Sequence, residues 1–279
     1  MLALYNENVN SNFTPAAVRV VKVKPSKEET IDAARAAFNA HGVPFPAGAE
    51  KFRKADAVVL IDGVIFPAWK STFCCSFSPL YVSDGMSGKM QGIPSISSSC
   101  LYNPRCLSRM KNGESICKHC FAAATLEQYD AAGAHAALNT ILLSNYILPD
   151  EMLPRFLNVA IARIESFGDV GNVAHAVNYI NLVRVNPLVV FGWWTKNADL
   201  LQAAVDAVGK PGNVIMIESS PLVNVAIKPS RPCIDKVFTV YDADHTPAEG
   251  INCGARCCCS CRACYTIGNG VKCLRESLK

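Results

Sequence analysis

The sequence predicts an α/β fold built on a parallel sheet, and three observations carry that expectation. Short, largely apolar segments at 159–165, 188–195, 213–218 and 236–241 have the composition of buried strands. Stretches of helical periodicity at 172–184 and 197–209 separate the first three of them. At 279 residues the chain is also long enough to bury a substantial core. Strands that are apolar on both faces belong to sheets covered on both sides. Right-handed crossovers would wind them into a partial or complete barrel-like core, or into an open doubly wound sheet.

Residues 1–70 read as an accessory module. After an N-terminal arm, Val18–Lys24 alternates as a strand does, and Pro25 stops it. Ser26 or Lys27 opens a helix with Glu28, Glu29 and Asp32 near its positive end, and His41-Gly42 closes it. Pro44, Pro46 and Gly48 make a linker. The run 57–66 then reads as a hairpin turning at Asp62-Gly63.

Residues 71–250 form the expected core. It begins with a long cysteine-rich loop from Cys74 to Cys120, rich in Ser, Gly, Pro and Asn. A loop of that length in a compact domain needs something to hold it, and a metal centre would do so. One long alanine-rich helix is expected over 121–146, its positive end aimed at the preceding cysteines. Residues 251–279 are a separate cysteine-rich segment.

Fourteen cysteines are the chain's most unusual feature. The first residues, Met1-Leu-Ala-Leu-Tyr-Asn-Glu-Asn, show no secretory pattern, and no apolar run reaches the roughly eighteen residues of a membrane span. A reducing, intracellular compartment is therefore expected, where cysteines signify metal or redox chemistry before disulfides. The formal charge of +4 counts every thiol as neutral. Two four-thiolate sites at about −2 each would bring it to roughly zero, so the basic pI is weak support for a nucleic-acid partner.

Cys258, Cys261 and Cys264 form an unbroken C-x-x-C-x-x-C, with Cys253 five residues before it. That spacing lets a tight loop turn successive sulfurs toward one point, as ferredoxin loops do around iron and sulfide. Cys257, Cys259 and Cys273 are then surplus, although the register within Cys257-Cys258-Cys259 stays open. A second candidate set is Cys100, Cys106, Cys117 and Cys120. Its Cys117-x-x-Cys120 knuckle also suits tetrahedral zinc, with His119 a possible substitute ligand. The cofactor expectation is one or two iron–sulfur clusters, most simply [4Fe–4S], with zinc the alternative. Cys74-Cys75 and Cys233 read as small buried hydrophobes, and His135 and His175 as satisfied helix residues. Trp193 and Trp194 should face opposite sides of one strand.

In parallel α/β folds, chemistry gathers at the carboxyl ends of strands. Here those ends are Ser166–Asp169, Thr195–Asn197, Ser219-Ser220 and Asp242–His245. Asp169, Thr195 and Lys196 are the candidate substrate contacts: a carboxylate base or ligand, a hydroxyl and an anion-binding ammonium. Asp169 serves equally well as a helix N-cap. No P-loop, no G-x-G-x-x-G and no C-x3-C-x2-C is present.

Four stretches together resemble the gene product 88 family of bacteriophage proteins. They are Ser87–Ser95 with Cys100–Ala122; Arg163-Ile-Glu-Ser-Phe-Gly-Asp169; Phe191-Gly-Trp-Trp-Thr-Lys-Asn197; and Cys253–Tyr265. The likeness spans about residues 74–270. It implies a phage- or prophage-encoded protein acting in a bacterial cytoplasm, and it matches Cys100, Cys117, Cys120, Cys253, Cys258, Cys261 and Cys264. This chain departs in having Glu165 where histidine is expected and Phe121 where tyrosine is common. The family has no established activity, so the likeness leaves the reaction open.

Two functions are thus expected from different classes. One is an iron–sulfur protein performing electron transfer, or a redox or radical transformation of a small substrate, on the strand-end rim. The other is a zinc-stabilised, non-enzymatic protein that binds a host factor or nucleic acid through Arg256, Arg262, Lys272, Arg275 and Lys279.

Overall fold

A computed structural model of the chain describes residues 13–74, 76–84 and 88–278. Most of the expected N-terminal arm, together with Cys75, Ser87 and Lys279, lies outside them.

The N-terminal module is a three-stranded antiparallel sheet, β1 (Val18–Val23), β2 (Ala57–Ile61) and β3 (Val64–Ala68), with one helix. The β2–β3 turn falls at Asp62-Gly63, both at positive φ (43° and 86°), as a two-residue hairpin requires. Helix α1 (Lys27–Ala40) starts in a capping box: Ser26 Oγ accepts from Glu29 N–H, and the Glu29 carboxylate accepts from Ser26 N–H. Its buried face, Ala34, Ala37 and Phe38, belongs to the same continuous apolar core as the large sheet. The module is an annex of that core.

The large sheet has seven strands: β4 (Val82–Ser83), β5 (Ser95–Ile96), β6 (Ile161–Ile164), β7 (Val190–Thr195), β8 (Val214–Ser219), β9 (Lys236–Tyr241) and β10 (Cys273–Ser277). They lie side by side in chain order. β5 to β10 are parallel, and only the edge strand β4 is antiparallel. The expected alternative of a complete barrel is not met. Among the described residues β4 and β10 are the sheet's two edges, and no hydrogen bonds join them. The expectation of one long loop before the first β/α unit is met only in part. That segment carries β4, β5, helix α2 (Pro104–Lys111) and several single 3-10 turns.

The expected helix 121–146 is two helices, α3 (Phe121–Gln128) and α4 (Asp130–Asn145), breaking at Tyr129. Gly133 explains the tight junction. A Cβ on it would stand 2.6 Å from the Leu126 carbonyl oxygen, so any side chain would force the helices apart. Helices α5 (Val173–Arg184) and α6 (Ala198–Val208) cover one face of the sheet. They pack on Ala162, Ile164, Phe191, Trp193, Val214 and Met216. The alternate residues, Ile161, Val190, Trp194, Ile215 and Ile217, face the other way and meet the C-terminal cysteine segment. No helix among the described residues is long and apolar enough to cross a membrane.

His135 of α4 marks where module and core join. Its ring stacks on Tyr81 (centroids 3.6 Å apart, 12° between planes) and lies against Phe52 and Trp69. Burial, and then the nearby Arg53 and Lys27 charges, push its pKa down to about 3. A lowered imidazole pKa stabilises the fold above the unfolded value of about 6.5, and that stability is lost as the pH falls toward 3. Urea denaturation from pH 7 to pH 4 should therefore show wild-type stability falling by up to ~1.4 kcal/mol per pH unit more steeply than in His135→Phe. Parallel curves for the two proteins would remove His135 from the acid response.

Candidate functional site

The first cysteine group sits on the carboxyl ends of the parallel strands. Directly after β5, Ser98 donates through N–H and Oγ to the Glu165 carboxylate (3.0 and 2.7 Å), and Ser99 N–H donates to Thr140 Oγ1 (2.8 Å). Cys100 follows, 2 % exposed. Asn103 caps α2 through its carbonyl while its amide donates to the Asp169 carbonyl (2.7 Å). This fixes the turn that carries Cys106. The far end of the segment is pinned to the β8 rim, where Ile116 N–H donates to the Pro221 carbonyl (2.8 Å). Cys117 comes next, and Cys120 is the N-cap of α3.

These placements bring the four sulfurs into one neighbourhood. The Cys100 thiol donates to Cys120, whose sulfur also takes the N–H groups of Ala122 and Ala123. Together these hold Cys120 below the ordinary thiol range, while the shared proton and burial push Cys100 far above it. Cys106 lies within electrostatic reach of Cys100 and Cys117, and burial raises its pKa well above normal. Lys196 faces both Cys106 and Cys120. His119 is exposed and takes no part in this arrangement.

Asp169 and Thr195 do not face an open rim. Asp169 is 4 % exposed, and its carboxylate accepts from Thr195 Oγ1 (2.6 Å), Lys196 N–H (2.8 Å) and Val170 N–H (2.9 Å). Arg109 Nη1 of α2 stands 3.6 Å away, while its Nη2 donates to the Lys196 carbonyl (3.1 Å) and to Asn197. Burial raises the Asp169 pKa against these stabilising contacts. The expected substrate carboxylate is thus a clasp joining the β6 and β7 ends to the cysteine segment, and Thr195 is part of it. Of the three rim candidates, Lys196 retains a half-buried side chain beside the sulfurs.

Beneath this clasp lies a network that the sequence did not announce. Glu165, at positive φ (58°) and 2 % exposed, also accepts from Tyr179 OH (2.8 Å). His175 Nε2 lies 3.2 Å from the same carboxylate oxygen. Gly171 N–H donates to His175 Nδ1, leaving Nε2 as the protonated nitrogen of a neutral ring.

The second group lies on the helix-free face of the sheet. Cys253, Cys258, Cys261 and Cys264 all line one open hollow, together with Lys89, Asn252, Arg262, Tyr265 and Leu274. The short helix α7 (Cys258–Cys261) provides two of these cysteines. Burial raises the Cys253, Cys258 and Cys264 thiols, Cys264 to about 12. The surplus cysteines turn elsewhere: Cys257 Sγ accepts from Cys259 N–H (3.3 Å), and Cys259 Sγ donates to the Gln91 carbonyl (3.3 Å). Cys273 is exposed on β10, and Cys74 and Cys233 are packed in the main core, as small hydrophobes are.

Lys89 and Arg262 line this hollow, and two further cations, Lys236 and Arg163, lie in the sheet near the segment that forms it. Lys89 Nζ donates to the Cys253 carbonyl (3.2 Å) and pairs with Glu276 (2.9 Å). Lys236 of β9, 4 % exposed, donates to the carbonyls of Ala263 and Thr266 and to Asn269 (2.6, 3.3 and 2.8 Å). Arg163 of β6 lies 4.0 Å over the Trp194 ring. Gly192 makes room there, since a Cβ on it would come within 2.8 Å of both the Trp194 and Tyr265 rings.

All thirteen described cysteines are free thiols. As placed, no three His, Cys, Asp or Glu side chains among the described residues converge tightly enough to hold a metal ion. Thiolate sites are normally closed by the ion they bind, and the donor chemistry here, all sulfur with N–H groups and cations turned toward it, fits such a group. Fold and site together define an α/β protein with two gathered thiol groups, one on each side of its sheet's functional geography. No family model matches the chain, and no curated protein or solved structure matches it.

If Asp169 is a clasp, Asp169→Ala should cost about 3 kcal/mol of stability, because Thr195, Lys196 N–H and Arg109 lose their buried acceptor. Thr195→Val should cost roughly 1–2 kcal/mol for the same reason. Urea midpoints check both, and unchanged midpoints would return Asp169 to the list of reacting groups.

Proposed function

We propose that the protein is an iron–sulfur protein whose second thiolate group, Cys253, Cys258, Cys261 and Cys264, holds a cluster, most simply [4Fe–4S]. The observation that carries this reading is the shared hollow: four cysteines chosen by spacing line it together with Lys89 and Arg262. The first group, Cys100, Cys106, Cys117 and Cys120, would hold a second centre, with Lys196 the nearest free cation.

A bound cluster supplies one-electron chemistry. The chain's own residues then divide the work. Glu165, Asn103 and Asp169 hold the first group against the carboxyl ends of β5 to β8, where α/β folds place substrates. Lys196 is positioned to bind an anionic part of a small substrate. Redox or radical-type chemistry on that substrate, or electron transfer to a partner, follows from this arrangement. The six parallel strands in unbroken chain order support a partial-barrel reading of the core. We further propose, from the four stretches resembling the gene product 88 family, that the protein is phage- or prophage-encoded and works in the cytoplasm of a bacterial host.

Anaerobically purified or reconstituted protein should be brown, absorb near ~400 nm and carry about four iron and four sulfide per occupied group. Cys261→Ser/Cys264→Ser should remove the iron of the second group, and Cys117→Ser/Cys120→Ser that of the first. A colourless protein with full zinc and little iron would replace this reading by the zinc-stabilised one. Nucleic-acid retention at low salt would then be the next measurement.

A further inference from the structure

Arg163 is a charged residue in the middle of an apolar strand. Its neighbours on β6, Ala162 and Ile164, point into the main core at 1 % and 0 % exposed. Arg163 itself points to the helix-free face, in register with Gly192 of β7. There its guanidinium carbon lies over the Trp194 ring, 4.0 Å from its centre, and Nη1 reaches the Met90 sulfur at 3.8 Å. Nε is buried and has no hydrogen-bond partner. None of the ion pairs among the described residues includes Arg163.

A guanidinium in such a place is costly unless an anion faces it. The surrounding groups narrow down which anion that is. Trp194, on which Arg163 rests, packs in one apolar cluster with Met90, Tyr265, Cys258, Cys259 and Cys264. The other cations around the hollow are already engaged, Lys89 by Glu276, Lys236 by two carbonyls and the Asn269 side-chain oxygen, and Arg262 by the Cys259 carbonyl. Among the hydrogen bonds of the described residues the Arg163 guanidinium has only the Met90 thioether, and Cys258 and Cys264 share the cluster on which it rests.

We propose that Arg163, seated over the Trp194 ring, is the resident counter-cation of the second thiolate group and a determinant of its redox poise. This rests on that group holding a metal centre. Uptake of an electron adds a negative charge beside the guanidinium, with no bond made or broken in the protein. A fixed cation favours the more negative state, so Arg163 holds the reduction potential above the value it would otherwise have. It is a positioning and tuning residue, because its contacts are with the Trp194 ring and Met90, in the cluster that Cys258 and Cys264 share.

The test compares wild type, Arg163→Met and Arg163→Lys, each reconstituted anaerobically with iron and sulfide in the Cys117→Ser/Cys120→Ser background, so that only the second group reports. Met keeps an unbranched chain on the Trp194 face without charge; Lys restores the charge. Spectroelectrochemical titration should place Arg163→Met at a more negative midpoint potential than wild type at equal iron content, with Arg163→Lys returning most of the shift. Equal potentials in all three proteins would overturn the proposal and leave Arg163 a packing residue. If Arg163→Met fails to fold, the Arg163→Lys protein decides: a potential near that of wild type supports the charge, and one far below it refutes the charge as the cause. Should wild type take up zinc in place of iron, the reading of the site as an iron–sulfur centre fails. The charge proposal is then read by chelator competition, where Arg163→Met should release zinc several-fold faster than wild type and Arg163→Lys should not. Equal release rates would sink it.

Discussion

A parallel sheet must be covered on both faces, and everything distinctive about this chain follows from how the second face is covered. Helices α5 and α6 cover one side in the ordinary way. The other side receives no helix of comparable length. It receives residues 250–272, a segment whose only regular element is the four-residue α7, together with the short turn around Met90. Of that segment only Tyr265 is fully buried; most of the rest is exposed or half-exposed. So little apolar burial is a poor return for ordering twenty-odd residues. A cross-link through four sulfurs is the device that small, core-poor segments commonly use, and on the proposed reading it would offset the deficit here. Lys236 shows the same strain from the other side. A lysine buried in a strand is tolerated because it ties Ala263, Thr266 and Asn269 to the sheet.

The first thiol group is built on the opposite logic. It is held in place by buried polar side chains that hydrogen-bond to one another and to the backbone. Glu165 takes three hydrogen bonds from Ser98 and Tyr179, in a backbone conformation that a non-glycine residue rarely adopts. Asn103 and Asp169 continue the same lattice to α2 and to the end of β7. Such a network is strong when complete and costly when broken, which suits a site that must keep a fixed geometry at a reacting surface. Rigidity belongs to the strand-end group, and surface exposure to the group on the helix-free face, where Cys261 reaches solvent.

Much of this was readable from residues alone, for physical reasons that differ by element. The helices at 173–184 and 198–208, β6 to β9 and the Asp62-Gly63 hairpin follow from local periodicity and turn chemistry, which the fold does not override. Strand β10 was missed because Cys273–Ser277 looks like a polar tail. Its strand character comes only from pairing with β9, a tertiary fact. Helix α2 was hidden by Asn103-Pro104, read as loop composition but in place an N-cap followed by proline in the first turn. The spacing of the cysteines singled out Cys253, Cys258, Cys261 and Cys264, which line one hollow, though they do not converge tightly enough there to hold an ion. It could not say that Asp169 would be walled in, because burial of a turn residue depends on Arg109, sixty positions earlier. The break at Tyr129 likewise turns on the space beside one glycine, which periodicity does not register.

Arg163 was the signal available but unread: one basic residue inside Val159–Glu165, between positions that the core requires to be apolar. A strand of a covered sheet admits a charge only where the covering layer can answer it. Around it stand Trp194 of the neighbouring strand as a surface to rest on, Met90 as a soft neighbour and, in the same apolar cluster, Cys258 and Cys264. Neutral thiols would be poor company for a guanidinium; thiolates around a metal would be good company. On the proposed reading the charge on the strand and the sulfurs in the segment answer one another, across a face that only the four-residue α7 and irregular chain cover.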